Sequence, residues 1–153
     1  NPLKESLATL DIFWGSYEIM GVALVDMYTW KWLYDHPQAT AGELKNAVID
    51  IAQSVWNQYY APVLGAPDSP LLAIYSHMID YPLYLANYPL GRIIQFQVEE
   101  HLRTRSLPQE VDRCYALGSL VPQIWMQQAV GSNISTAPLL TAVRIAAQAM
   151  RED

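Results

Sequence analysis

The side chains best suited to chemistry fall in one stretch, Tyr75-Ser76-His77-Met78-Ile79-Asp80-Tyr81-Pro82-Leu83-Tyr84-Leu85-Ala86-Asn87-Tyr88-Pro89-Leu90-Gly91. It gathers a histidine, an aspartate and several tyrosines around Pro82 and Pro89. Imidazole and phenol groups that converge on one point can donate hydrogen bonds to a developing oxyanion. Pro82 is suited to the first position of a helix, where its missing amide would be unpaired anyway. On a helix starting there, Tyr84 and Tyr88 are four residues apart and share a face. His77 precedes the turn that Pro82 sets and can fold back toward them. The plainer reading is a tyrosine-rich helix–helix contact with a satisfied histidine.

Elsewhere the chemistry is sparse. A zinc site needs three or four converging ligands. Neither a His-Glu-x-x-His nor a Glu-x-x-His pair is present, since Val98 stands three residues before His101. There is no Gly-rich phosphate loop and no Gly-x-Ser-x-Gly elbow. His36 falls where the first helix should stop, a position at which the helix dipole favours a cation and a capping role. His101, within Glu99-Glu100-His101-Leu102-Arg103, reads as part of a solvated charged face.

The elements that must position these residues read as helices throughout. Leu10, Phe13, Trp14, Tyr17, Met20, Leu24, Val25 and Tyr28 recur at helical spacing within residues 3–34. His36-Pro37 stops that helix, because proline disfavours helical geometry in the residue before it. Thr40-Ala41-Gly42-Glu43 is a capping box opening a second helix toward Tyr59. Residues 61–70 read as a loop rich in Pro and Gly, followed by a short apolar segment over 71–79. A helix is expected from Pro82 to about Arg105 with a kink near Pro89. Further helices are expected from Pro108 toward Leu117, over 122–130, and from Ser135 or Thr136 to Met150. No repeat, strand alternation or hairpin signal appears. The expected fold is all-α, a multi-helix bundle, with residues 1–153 as a single helical segment.

Composition narrows the function classes. The chain has 153 residues, a net charge of −6 and only 16% charged residues. Its scattered Lys and Arg form no basic stripe, which argues against nucleic acid as a partner. Cys114 is the one cysteine, so no internal disulfide can form. The longest stretch free of Asp, Glu, Lys and Arg, 114–143, is interrupted by glycines and prolines, so no membrane span is expected. The opening Asn-Pro-Leu-Lys-Glu is not a leader, and the chain is expected to begin inside a longer one. A charge-poor sequence with five Trp and ten Tyr must bury much surface, in its own core or against a partner.

The order His77-x4-Pro82-x-Tyr84-x3-Tyr88-x2-Gly91 resembles the stretch near the C-terminus of oligoendopeptidase F-like metallopeptidases, the thimet-oligopeptidase superfamily. The capped turn Thr40-Ala41-Gly42-Glu43-Leu44, the Tyr59-Tyr60 pair and the closing segment from Ala129-Val130-Gly131 to Ala149 are similar to that family as well. The resemblance implies an all-α peptidase domain in which zinc is held by residues upstream of the matched region. On that basis His77, Tyr84 and Tyr88 are the expected catalytic residues, as oxyanion and substrate donors. Tyr81 and Asp80 are the expected substrate-binding residues. No metal ligand is assigned in this chain; zinc is expected in an upstream half. Asp80-Tyr81 and Pro89 depart from the family's usual residues at those positions. The implied protein is the C-terminal segment of a zinc-dependent oligopeptidase-like hydrolase, inactive alone. Its expected partners are a peptide substrate and the missing N-terminal half, or a second copy of itself. The alternative is a non-catalytic helical interaction module, with Trp30, Trp32, Trp56 and Trp125 as core or partner anchors.

Overall fold

A computed structural model describes residues 2–152, with side chains from residue 3 onward. Among the described residues the fold is all-α: eight α-helices, one 3-10 turn and no strand. The helices are α1 (Pro2–Asp35), α2 (Ala41–Tyr59), α3 (Ala61–Leu64), α4 (His77–Asp80), α5 (Asn87–Leu102), α6 (Leu107–Ala116), α7 (Pro122–Ala129) and α8 (Ala137–Glu152). The 3-10 turn covers Leu71–Ala73. The chain divides into two compact units, one formed by Gly15–Pro89 and the other by residues 2–14 with 90–152.

In the Gly15–Pro89 unit, the core joins α1 to α2. Val22, Ala23 and Val25 pack with Ala52, Val55, Trp56, Tyr60, Leu72 and Leu85. Val25 and Leu85 are fully enclosed, each worth roughly 1.5–3 kcal/mol relative to an exposed side chain. The end of α1 is finished by His36, whose Nδ1 donates to the Trp32 carbonyl at 2.8 Å while its ring stacks on Trp32. The Thr40 capping box is formed: the Thr40 hydroxyl accepts from the Glu43 amide at 3.3 Å, and the Glu43 carboxylate accepts from the Thr40 amide at 2.8 Å. Residues 61–70 are not all loop, since α3 occupies their first turn before Gly65 ends it with φ +78°. Trp56 donates its indole N–H to the Ala66 carbonyl at 2.7 Å, which ties the remaining loop back to α2.

In the other unit, Phe96, Met126, Ala129, Leu139 and Ala146 are buried. Gln97, itself buried, serves as a clasp. Its amide nitrogen donates to the Asn133 carbonyl and its oxygen accepts from the Ser135 amide at 2.8 Å, fixing the turn before α8. The Ser135 hydroxyl accepts from the Ala137 amide at the start of α8. His101 is not on a solvated face. It meets Glu110 at 3.0 Å, and Glu110 also accepts from Arg113 at 2.7 Å. Arg113 further donates to the Gln128 and Ala129 carbonyls at the end of α7, where unpaired carbonyls favour a cation. The single cysteine, Cys114, is partly exposed beside this cluster.

By length and composition α1 is apolar enough to cross a membrane. It carries Glu18 and Asp26 within that length, and Val22, Ala23, Val25 and Asp26 are buried within the Gly15–Pro89 unit. Large apolar side chains nevertheless stay exposed in this unit, notably Ile74 at 76% and Ile79 at 83%.

Candidate functional site

The helix expected to open at Pro82 starts later, at Asn87. Ser76 to Asp80 makes one helical turn, and the Tyr81 amide closes it on the His77 carbonyl at 2.9 Å. Tyr81-Pro82-Leu83-Tyr84 then forms a tight turn, with the Tyr84 amide donating to the Tyr81 carbonyl at 3.1 Å. Pro82 occupies the second position of the turn and Leu83 the third, with φ +62°. Proline second and positive φ third is the pattern of a type II turn. The fixed φ of proline suits the first position of a helix and the second position of a turn equally well. What decides here is Asp26 of α1, whose Oδ2 accepts from the Leu83 amide at 2.8 Å. Pro89 falls in the first turn of α5, where its missing N–H costs no helical bond.

This corrects the expected placement of the tyrosines. Tyr84 belongs to the turn and Tyr88 to the first turn of α5, so they do not share a helical face through regular spacing. Their rings meet all the same, edge to face at 5.5 Å. Tyr81 and Tyr84 lie 6.3 Å apart, His77 and Tyr81 5.8 Å, and Tyr75 and His77 5.0 Å. All the expected catalytic residues, His77, Tyr84 and Tyr88, together with Tyr81, thus belong to one unbroken row of rings. Such edge and tilted contacts match the quadrupoles of aromatic rings. Tyr81, Tyr84 and Tyr88 are each roughly half exposed, and His77 is partly buried. Asp80 ends α4 as an exposed carboxylate, outside the ring row.

Leu85, directly after the row's centre, is fully buried and anchors it in the core. Asp26, which accepts the Leu83 N–H, is 1% exposed. Burial pushes its carboxyl above the ordinary carboxylate range, and the Leu83 N–H pulls it back down. Among the described residues its second oxygen, Oδ1, has no hydrogen-bond partner, and neither has the buried Thr29 hydroxyl three residues along α1. The sequence signal for Asp26 is an acid between Val25 and Met27 on the apolar side of a long helix.

The arrangement offers phenol and imidazole hydrogen-bond groups on an exposed aromatic surface. That surface can stack on apolar or aromatic side chains and donate to carbonyl oxygens. A metal is another matter. Among the described residues no group of three or more His, Cys, Asp or Glu side chains converges to hold an ion. The motif resemblance assigns no metal ligand to these residues and expects the zinc in a segment upstream of them. No protein-family model, curated protein or solved structure matches this chain.

Proposed function

We propose that the row formed by His77, Tyr81, Tyr84 and Tyr88 is a peptide-binding face. In this reading the chain is the segment of a zinc-dependent oligopeptidase-like hydrolase that binds substrate and donates hydrogen bonds to the oxyanion, with its zinc ligands supplied by residues outside these 153. One observation carries the reading: the exposed motif tyrosines form a single row with the partly buried His77 instead of being dispersed into separate buried helix contacts. A buried cluster would have spoken for packing alone. Exposed tyrosines held in contact with each other lose little further freedom when a ligand docks, which favours binding. The resemblance to oligoendopeptidase F-like enzymes suggests the substrate class. Asp80 beside the row favours peptides with a basic group near the bound carbonyl.

The test is a titration of the chain with unstructured peptides of six to ten residues, followed by the ring resonances of the tyrosines. Shifts confined to Tyr81, Tyr84 and Tyr88, weakened about tenfold by Tyr84→Ala, are the expected result. Tyr115, exposed in the other unit, is the internal control. Ring resonances that ignore peptide at millimolar concentration would remove the reading.

The second reading, a non-catalytic helical interaction module, is favoured by the exposed Val63, Ile74 and Ile79 of the same unit. Large apolar side chains left exposed are candidate contacts for another protein segment or a second copy of the chain. Sedimentation across a hundredfold concentration range separates the two. Self-association abolished by Ile79→Glu, with peptide ignored, favours the module.

A further inference from the structure

Locally, Tyr81-Pro82-Leu83-Tyr84 should form a type I turn. Proline is suited to the second position of both common turns, but leucine at the third suits only type I, where φ is about −90°. Type II calls for Gly or Asn there. The structure nevertheless gives Leu83 a φ of +62°, in the left-handed region that a bulky side chain rarely enters. The two turn types differ by a flip of the peptide joining residues two and three. Here that peptide carries the Leu83 N–H, and this N–H donates to Asp26 Oδ2. Pro82 fixes φ on one side and buried Leu85 anchors the other, so the flip of the 82–83 peptide is what remains open.

Asp26 is poorly explained as a core residue. It is 1% exposed, and its Oδ1 meets no donor among the described residues. A buried carboxylate is costly unless its hydrogen bonds are made. The contact it does make goes to the turn, through the stronger, charge-assisted kind of hydrogen bond.

We infer that Asp26 is the positioning residue of the aromatic row: by accepting the Leu83 N–H it selects the type II form of the turn, and so sets where the Tyr81 and Tyr84 rings stand. Asp26 does not touch ligand; it acts through the backbone of Leu83. The consequence for affinity rests on the peptide-binding reading, whereas the consequence for turn geometry does not.

The experiment reads both, by NMR of the whole chain with and without peptide. In the unaltered protein, an intense cross-peak between Pro82 Hα and the Leu83 amide reports type II, and slow exchange of that amide reports its bond to Asp26. Asp26→Asn, which keeps an acceptor oxygen, should retain the cross-peak and stay within about threefold in peptide affinity. Asp26→Ala should weaken it and bring up a cross-peak between a Pro82 Hδ and the Leu83 amide, as in a type I turn, move the Tyr81 and Tyr84 ring resonances, and lower affinity tenfold or more. Asp26→Ala with Leu83→Gly should regain the type II signal, because glycine accepts positive φ unaided. A folded Asp26→Ala protein that keeps the type II cross-peak overturns the inference. If that variant does not fold, fast exchange of the Leu83 amide in the unaltered protein overturns it instead. A type II turn in a chain that ignores peptide sinks the peptide-binding reading and leaves the positioning role standing.

Discussion

The Tyr60 hydroxyl accepts the Gly21 N–H at 2.8 Å and donates to the Tyr17 carbonyl, the two groups that α1 would otherwise pair with each other. A side chain from the end of α2 thus stands within one step of the α1 hydrogen-bond ladder. Only glycine leaves room for it: a Cβ built at Gly21 would lie 2.6 Å from the Tyr60 ring. Gly21→Ala should therefore destabilise the fold by about 2 kcal/mol, the overpacking cost exceeding alanine's helix preference of about 1 kcal/mol. Urea unfolding measures this. On a Tyr60→Ala background the same change should become neutral or stabilising, because the clash is gone and the propensity remains. Additive effects would show that the contact is not the cause.

The same hydroxyl gives the fold an alkaline limit. Burial pushes Tyr60 from an ordinary 10.0 up to about 12, partly offset by the Gly21 N–H. Between those values the unfolded chain loses the phenol proton while the folded one keeps it. Stability from this group is thus complete below pH 10 and falls as the pH rises toward 12, by on the order of 2 kcal/mol. Urea midpoints taken from pH 9 to 11.5 should fall, and Tyr60→Phe should flatten that slope. An equal slope in both proteins would place the alkaline sensitivity elsewhere.

Glu110 sets the opposite limit. Its hydrogen bonds to Arg113 and His101 hold its carboxyl down at about 2, against an ordinary 4.5. Stability from this group is present above pH 4.5 and is lost as the pH falls toward 2, because the unfolded chain takes up the proton first. Glu110→Gln should lower stability at pH 7 and weaken its fall between pH 4.5 and 2.5. Arg113→Ala should do the same and also loosen the end of α7, whose carbonyls it caps. Hydrogen exchange of the residues just after α7 reads that second effect.

Which of these features could be read from the sequence follows from how far their causes lie along the chain. The Thr40 capping box and the His36 cap close within three or four residues, so spacing alone specifies them. The helices over 2–35 and 41–59 follow from periodicity and local stop signals. Pro82 is different. The partner that makes it a turn residue and not a helix start is Asp26, which accepts the N–H of the next residue, Leu83, from 57 positions away. His101 is similar in kind: its partner Glu110 lies beyond a helix break, so a charged run looked solvated. The spacing of Tyr84 and Tyr88 suggests a shared face on a continuous helix, whereas their rings meet across a turn stabilised from α1.

The ring and the hydroxyl of Tyr84 should have separable effects. Its ring meets Tyr88 edge to face and Tyr81 at 6.3 Å, and phenylalanine preserves both contacts. Only the hydroxyl is lost, and that is the group proposed to donate to the oxyanion. In a hydrolytically active protein that contains this segment, Tyr84→Phe should lower kcat on the order of a hundredfold or more and leave KM nearly unchanged. Tyr84→Ala should raise KM as well, because it also removes the stacking surface. Steady-state kinetics on one short peptide separates the two variants. An unchanged kcat in Tyr84→Phe would remove Tyr84 from the oxyanion role, and a matching loss in Tyr88→Phe would transfer the role to Tyr88.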